Sequence, residues 1–167
     1  PTLGMAREHC RIDDTEAALL EGSVRPIVLA KGTGATSREL APSVAPGLAE
    51  LGVMLPYTPL HHVLLADFGG PLVMTSGNLT DEPLAMDNAE TLQRLAPLAD
   101  AFLLCYRGIH TRYEYSVVRG VAGRPQLVRR CGAAPHGRPS MGAVGWGMQD
   151  RVLAHRNALS HGLVGGC

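Results

Sequence analysis

PLVMTSGNLTDEP, residues 71–83, is the stretch from which the rest of this chain is read. A short apolar run, Leu72-Val73-Met74, stops at Thr75-Ser76-Gly77-Asn78, where small polar side chains flank a glycine. The pattern predicts a strand over 71–75 that ends in a tight turn. Folds of the α/β type place ligands at such strand ends, because backbone N–H groups and short hydroxyls converge outside the carboxyl edge of the sheet. Gly77 lets a ligand approach the backbone closely. Thr75, Ser76 and Asn78 offer donors and acceptors suited to phosphate or carbonyl oxygens. Ser-Gly-Asn is also ordinary turn chemistry, so its surroundings decide between the two readings.

Upstream, Asp14 is expected to cap a helix through Ala17, Leu19 and Leu20 that ends near Gly22. Pro26-Ile27-Val28-Leu29 reads as a buried strand, residues 31–46 as a loop, and Val53-Met54-Leu55 as a second short strand. Thr58 followed by Pro59 starts a helix with Leu60, Val63, Leu64 and Phe68 on one side, stopped by Gly69. Downstream, Asp87 and Glu90 have capping-box spacing, which predicts a helix over 88–99. Residues 101–105 read as a strand. Residues 115–119 and 126–129 read as two more, joined through Gly123-Arg124-Pro125 as a hairpin. Strands alternating with helices and closing on a hairpin imply an α/β or α+β domain with a mixed sheet.

A chain of 167 residues fits one domain with a sizeable core. Its 15 basic and 15 acidic residues balance, so no global charge draws it to nucleic acid or a membrane surface. Only 4% of residues are aromatic, which leaves the core to Leu, Val, Ala and Met. No apolar run is long enough to span a bilayer and no signal sequence opens the chain. The absence of an initial Met suits a fragment or a processed chain. Cys10, Cys105, Cys131 and Cys167 are scattered without a C-x-x-C pair, which argues against zinc and a disulfide framework and fits a reducing cytoplasm.

Other groupings carry less. Lys31-Gly32-Thr33-Gly34 has its lysine before the glycines, not after them as a phosphate loop requires, and reads as a surface loop. His61 and His62 diverge by about 100° on a helix and cannot chelate one metal, so they are expected on a half-exposed face and no metal is expected. Arg107, Arg112, Arg119, Arg129 and Arg130 gather around Ser116. Guanidinium forks suit polyanions such as triphosphate, although solvated strand edges also carry such charge. Joined to the 75–78 turn, they suggest phosphoryl or nucleotidyl chemistry, in which stabilising developing charge is the main requirement.

Three segments then carry a family resemblance: GVMLPYTPLHHVLL (52–65), PLVMTSGNLTDEPLAMDNAETLQRLAPLADAFLL (71–104) and SVVRGVAGRPQLVRR (116–130). In order and spacing they closely resemble the YrdC-like domain of the HypF carbamoyltransferases, over about residues 1–135. The resemblance implies a twisted mixed sheet with flanking helices, N-terminally truncated, over 1–136. It also implies carbamoyl-adenylate formation from carbamate and Mg-bound ATP, in the cytoplasm. In the family, carbamate is released from carbamoyl phosphate by another domain. The carbamoyl group then passes to a HypE-like acceptor during [NiFe] hydrogenase maturation. By motif position, Ser76 and Asn78 contact the nucleotide, Ser116 lies at a second phosphate- or acyl-binding segment, and Arg129 or Arg130 matches the arginine after the last strand. With Thr75 and Arg112 these are the expected nucleotide- and carbamoyl-adenylate-binding residues, and no covalent nucleophile is implied.

Departures accompany the match. The family's basic Lys-Pro motif is not found, and Thr2-Leu3-Gly4-Met5 resembles the strand that follows it. The resemblance therefore implies weak or no catalysis by this chain alone. Glu114-Tyr115 stands where the family carries paired aspartates, and Cys131-Gly132-Ala133 where it carries Ser-Arg-Gly. Residues 137–167 show no family resemblance and are expected to be a shifted reading frame or a disordered tail. Two rivals remain: a threonylcarbamoyl-adenylate synthase acting in tRNA modification, disfavoured by the MLPYTPL segment, and a double-stranded RNA-binding module, disfavoured by zero net charge.

Overall fold

A computed structural model of the chain describes residues 2–33, 40–109, 115–130, 151–155 and 162–166. They form two compact units, Pro1–Pro71 with Glu114–Ala143, and Leu72–Tyr113 with Val144–Cys167.

The first unit is built on β2 (Ile27–Gly32). Along it lie α1 (Leu3–His9), β1 (Cys10–Arg11), α2 (Asp14–Glu21), β3 (Glu50–Val53), α3 (Pro59–Phe68), β5 (Val117–Val121) and β6 (Arg124–Arg129). Lys31 pairs with Arg11 of β1 and with Glu50 of β3, both antiparallel, so those strands flank opposite edges of β2. β5 runs parallel to β2 through Ile27↔Val117, Val28↔Val118 and Leu29↔Arg119, and β6 pairs antiparallel with β5. The result is the mixed sheet that the sequence implies.

Side chains alternate across a strand, and on β2 the alternation is sharp. Val28 and Ala30 are fully buried, while Lys31 is exposed. Val28 packs with Leu20 of α2 and with Leu55, joined by Leu3, Ile12, Leu19 and Val53. The core therefore lies on one face of the sheet.

Local chemistry explains the elements. α2 is capped by Asp13, one residue before the expected Asp14. Its carboxylate accepts from Glu16 N at 2.8 Å and Glu16 Oε2 accepts from Asp13 N at 3.0 Å, a reciprocal capping box. Residues 3–9 form a helix, not the expected strand, because the Thr2 hydroxyl caps Met5 N. Lys31 and Gly32 belong to β2, and Thr33 bonds His9 O, so these three are strand and sheet edge, not surface loop.

α3 starts at Thr58 and Pro59 as expected and ends at Gly69, whose φ of +76° closes the helix in the left-handed region. Its inward face differs from the expectation. His61 is buried and meets Tyr57 edge-on at 4.8 Å, whereas Val63 and Phe68 are exposed. The β5–β6 hairpin turns at Ala122-Gly123, both with positive φ, one residue earlier than expected.

In the second unit only Val73 of residues 71–75 enters a bridge; the three apolar residues sit between Gly-Gly-Pro and a polar turn, too short a run for a ladder. α4 (Asn88–Leu95) and a 3-10 turn (Ala96–Leu98) fill the expected 88–99 helix, with the Asp87 carboxylate accepting from Ala89 N and Glu90 N. β4 (Ala101–Leu103) pairs with β7 (Arg151–His155), and β7 with β8 (Gly162–Gly166), all antiparallel. β7 and β8 fall within the segment whose sequence lacks a clear period. No described helix is long and apolar enough to cross a membrane.

Two expectations follow. Asp13→Ala removes the α2 cap and lowers stability by about 1 kcal/mol, whereas Gly120→Val costs more, because a Cβ there meets Glu16 Cγ at 3.0 Å; chemical denaturation of both variants measures the order. Burial, reinforced by the charge of Glu16, pushes the Cys10 thiol above its ordinary 9.0. The folded state then holds the proton longer than the unfolded chain, so this contribution is intact below pH 9.0 and is lost as pH rises through the folded value. In Cys10→Ala the stability–pH curve is expected to fall less steeply on the alkaline side, and in the parent native Cys10 reacts with iodoacetamide more slowly than the partly exposed Cys105.

Candidate functional site

The loop after Val73 is organised from within. Asn78 Nδ2 donates to Leu79 O at 2.8 Å and to Glu82 O at 2.9 Å. Glu82 N donates to Leu79 O at 3.1 Å, and Asp81 has φ +62°, which defines a type II turn over 79–82. Ala85 N donates to Gly77 O at 3.2 Å and closes the loop on itself. Beneath it Leu79 and Phe102 pack against buried Ala85 and Leu95. Arg94 of α4 bonds both Glu82 and Glu90, and Asn88 Nδ2 reaches Cys105 O at 2.8 Å, fastening α4 to the loop and to the end of β4.

Asn78 thus spends both amide protons on its own loop, as an organiser. Its Oδ1 is buried and meets no donor among the described residues. A buried acceptor in that state is costly. Thr75 and Ser76 are exposed, and Gly77 is buried between them and Asn78. The loop therefore presents two hydroxyls on a rigid support, which suits binding an oxygen-rich ligand without reorganisation.

In the first unit, Ser116 precedes β5, and its carbonyl accepts from Ile27 N at 3.0 Å. Val117 pairs with Arg129 and Val118 with Leu127, so Val128 is the extra residue of a bulge. That register brings Ser116, Arg129 and Arg130 to one end of the hairpin, with Arg129 and Arg130 exposed. Beside them the Tyr57 hydroxyl donates to the Tyr115 hydroxyl at 2.6 Å, with the two rings edge-on at 5.9 Å. Tyr57 also meets His61 edge-on, so the segment before Ser116 is tied to the start of α3.

The seven residues singled out by sequence thus divide. Thr75, Ser76 and Asn78 share one loop of the second unit, Ser116, Arg129 and Arg130 share one hairpin end of the first, and Arg112 lies outside the described residues. Of the other arginines, Arg107 lies over the Tyr106 ring, and Arg119 is bound by Glu50, with Nη2 to Oε2 at 2.6 Å. Sequence reasoning missed the Tyr57–Tyr115 pair and Glu50–Arg119. No local spacing signals a contact across 58 or 69 residues.

Comparison with known proteins places this arrangement. A family model named Sua5_yciO_yrdC, described as telomere recombination, matches residues 1–131. The chain belongs to this YrdC-like family. Within it, the sequence is similar to HypF carbamoyltransferases: 47% identical over 131 residues to that of Rhodobacter capsulatus and 43% over 134 residues to that of Synechocystis. The matches cover 75% and 80% of this chain but 17% of each relative, so the chain spans about a sixth of their length. Solved structures agree. Full-length HypF in its phosphate- and nucleotide-bound form superposes with a TM-score of 0.72 at 41% identity, covering 78% of this chain and 20% of that one. HypF of T. kodakarensis gives 0.71 at 30% identity, covering 78% and 17%.

Asn78→Ala deletes both loop bonds. The expected loss is about 2 kcal/mol, and amide exchange at 77–85 should quicken before exchange on β2 does. Asn78→Asp should behave like Asn78→Ala, since a carboxylate has no N–H to give.

Proposed function

We propose that this chain is the nucleotide-binding part of a HypF-type carbamoyltransferase, which forms carbamoyl-adenylate from carbamate and Mg-bound ATP in the complete enzyme and is weakly active or inactive as this chain alone. The observation that carries the proposal is the internally hydrogen-bonded 75–86 loop, on which Thr75 and Ser76 are exposed. It lies within the family match, and a HypF relative was solved with phosphate and nucleotide bound.

In the proposed reaction a carbamate oxygen attacks the α-phosphorus of ATP. The bond to the bridging oxygen breaks and pyrophosphate leaves with its electron pair. No side chain forms a covalent bond; the requirement is alignment and neutralisation of charge. The Thr75 and Ser76 hydroxyls would donate to nucleotide or acyl oxygens, Thr75 giving up its long bond to Ser76 O, and Asn78 would hold the loop that carries them. Ser116 would hold a second oxygen at the base of the hairpin. Arg129 and Arg130, with Arg112, would neutralise phosphate charge as forks. In a complete enzyme the carbamoyl group would then pass to the thiol of a HypE-like acceptor, releasing AMP, as a step of [NiFe] hydrogenase maturation in the cytoplasm.

Isothermal titration of the chain with Mg–ATP tests this reading. Saturable binding should weaken by about tenfold in Ser76→Ala and in Arg129→Gln, the loss of one charge-assisted hydrogen bond. Carbamate, supplied as ammonium bicarbonate, should tighten ATP binding while threonine leaves it unchanged. Tightening by threonine instead would support the threonylcarbamoyl-adenylate reading, and absence of ATP binding would remove the proposal.

A further inference from the structure

The sheet of the first unit has a second face, opposite the core, and it carries a cleft that the proposed reaction does not use. Lys31 pairs with Glu50 and Leu29 with Arg119, so these four side chains share that face by the two-residue period of the strands. With Leu48 and Ala49 they line a cavity of about 490 Å³, within the size range of small-molecule sites. Its walls are apolar and its polar groups converge: two cations against one carboxylate.

The state of Arg119 is informative. Glu50 Oε2 holds Nη2 at 2.6 Å, while Nε is buried and meets no acceptor among the described residues. The contact is therefore single-pointed, on a guanidinium edge built for two parallel bonds. Both side chains are more than a third exposed, so the ion pair is weak and easily exchanged. An oxyanion that took Nη2 and Nε together would satisfy the stranded N–H. It would also gain the exposed Lys31 ammonium as a second partner, and would leave Glu50 to solvent.

We propose that this cleft binds an oxyanion carried on a small apolar body, with Arg119 and Lys31 as the anion partners, Leu29 and Leu48 against the body, and Glu50 as the competitor it displaces. Phosphate and carboxylate share this chemistry. The site is separate in sequence from residues 75–78 and 129–130, and its test separates it from theirs.

Phenyl phosphate, benzoate and inorganic phosphate are titrated into the chain, with binding read from ¹⁵N shifts of Lys31, Glu50 and Arg119. An aromatic anion should bind more tightly than inorganic phosphate, and whichever head binds better names the class. Arg119→Gln and Lys31→Gln should each weaken binding by about tenfold. Glu50→Gln should tighten it several-fold, a gain that no folding defect can mimic. Ser76→Ala and Arg129→Gln should leave it unchanged. Binding that ignores Arg119→Gln and Lys31→Gln, or that weakens in Glu50→Gln, overturns the proposal, as does the absence of saturable shifts with all three probes.

Discussion

The first unit depends on the pairing of one strand on both edges. β2 is bonded to β1 and β5 on one side and to β3 on the other, and Val28, Leu29 and Lys31 each have partners on both. Every other feature of that unit is positioned through it. The Ser116 carbonyl is held by Ile27 N, the first residue of β2. The hairpin that carries Arg129 and Arg130 extends the sheet from β5. Val28 and Ala30 fix which face is buried, and Leu29 and Lys31 thereby define the open face. A slip of one residue would exchange the two faces, burying Lys31 and exposing Val28.

The second unit solves a different problem. A loop that keeps polar side chains exposed has to draw its firmness from below. Here the firmness comes from backbone and amide bonds beneath the surface, from Asn78 to two carbonyls and from Ala85 to Gly77. Arg94 secures Glu82 from the helix side. Thr75 and Ser76 stay exposed on this framework. In the proposed function such a framework would need little reorganisation around a bound phosphate, which is how fixed dipoles contribute most to such chemistry.

Much of this was legible in the sequence where the signal is local. Thr58-Pro59, Gly69 and the Asp87 cap mark their helix ends because capping is a matter of adjacent residues. The mixed sheet and the YrdC-like family followed from the order of short apolar runs and the MLPYTPL and TSGNL segments. Boundaries failed where a neighbour overrode propensity. Residues 3–9 form α1 with Thr2 as its cap where a strand was expected, and Ala122, an unusual residue for positive φ, shifted the hairpin turn. His61 was misplaced because its partner, Tyr57, lies outside the helix whose period was being read. Asn78, singled out in the sequence, turns its amide N–H groups to its own loop, and its buried Oδ1 meets no donor among the described residues. Glu50–Arg119 and Tyr57–Tyr115 are products of tertiary pairing and left no trace in spacing.

In the proposed function the 75–78 loop and the 116–130 hairpin each contact nucleotide. Hydrogen–deuterium exchange of the chain with and without saturating Mg–ATP tests it most directly. Added protection is expected at residues 75–86, 115–119 and 127–130, with β2 already protected and little changed. Protection confined to other segments, or the same exchange with and without nucleotide, would contradict it.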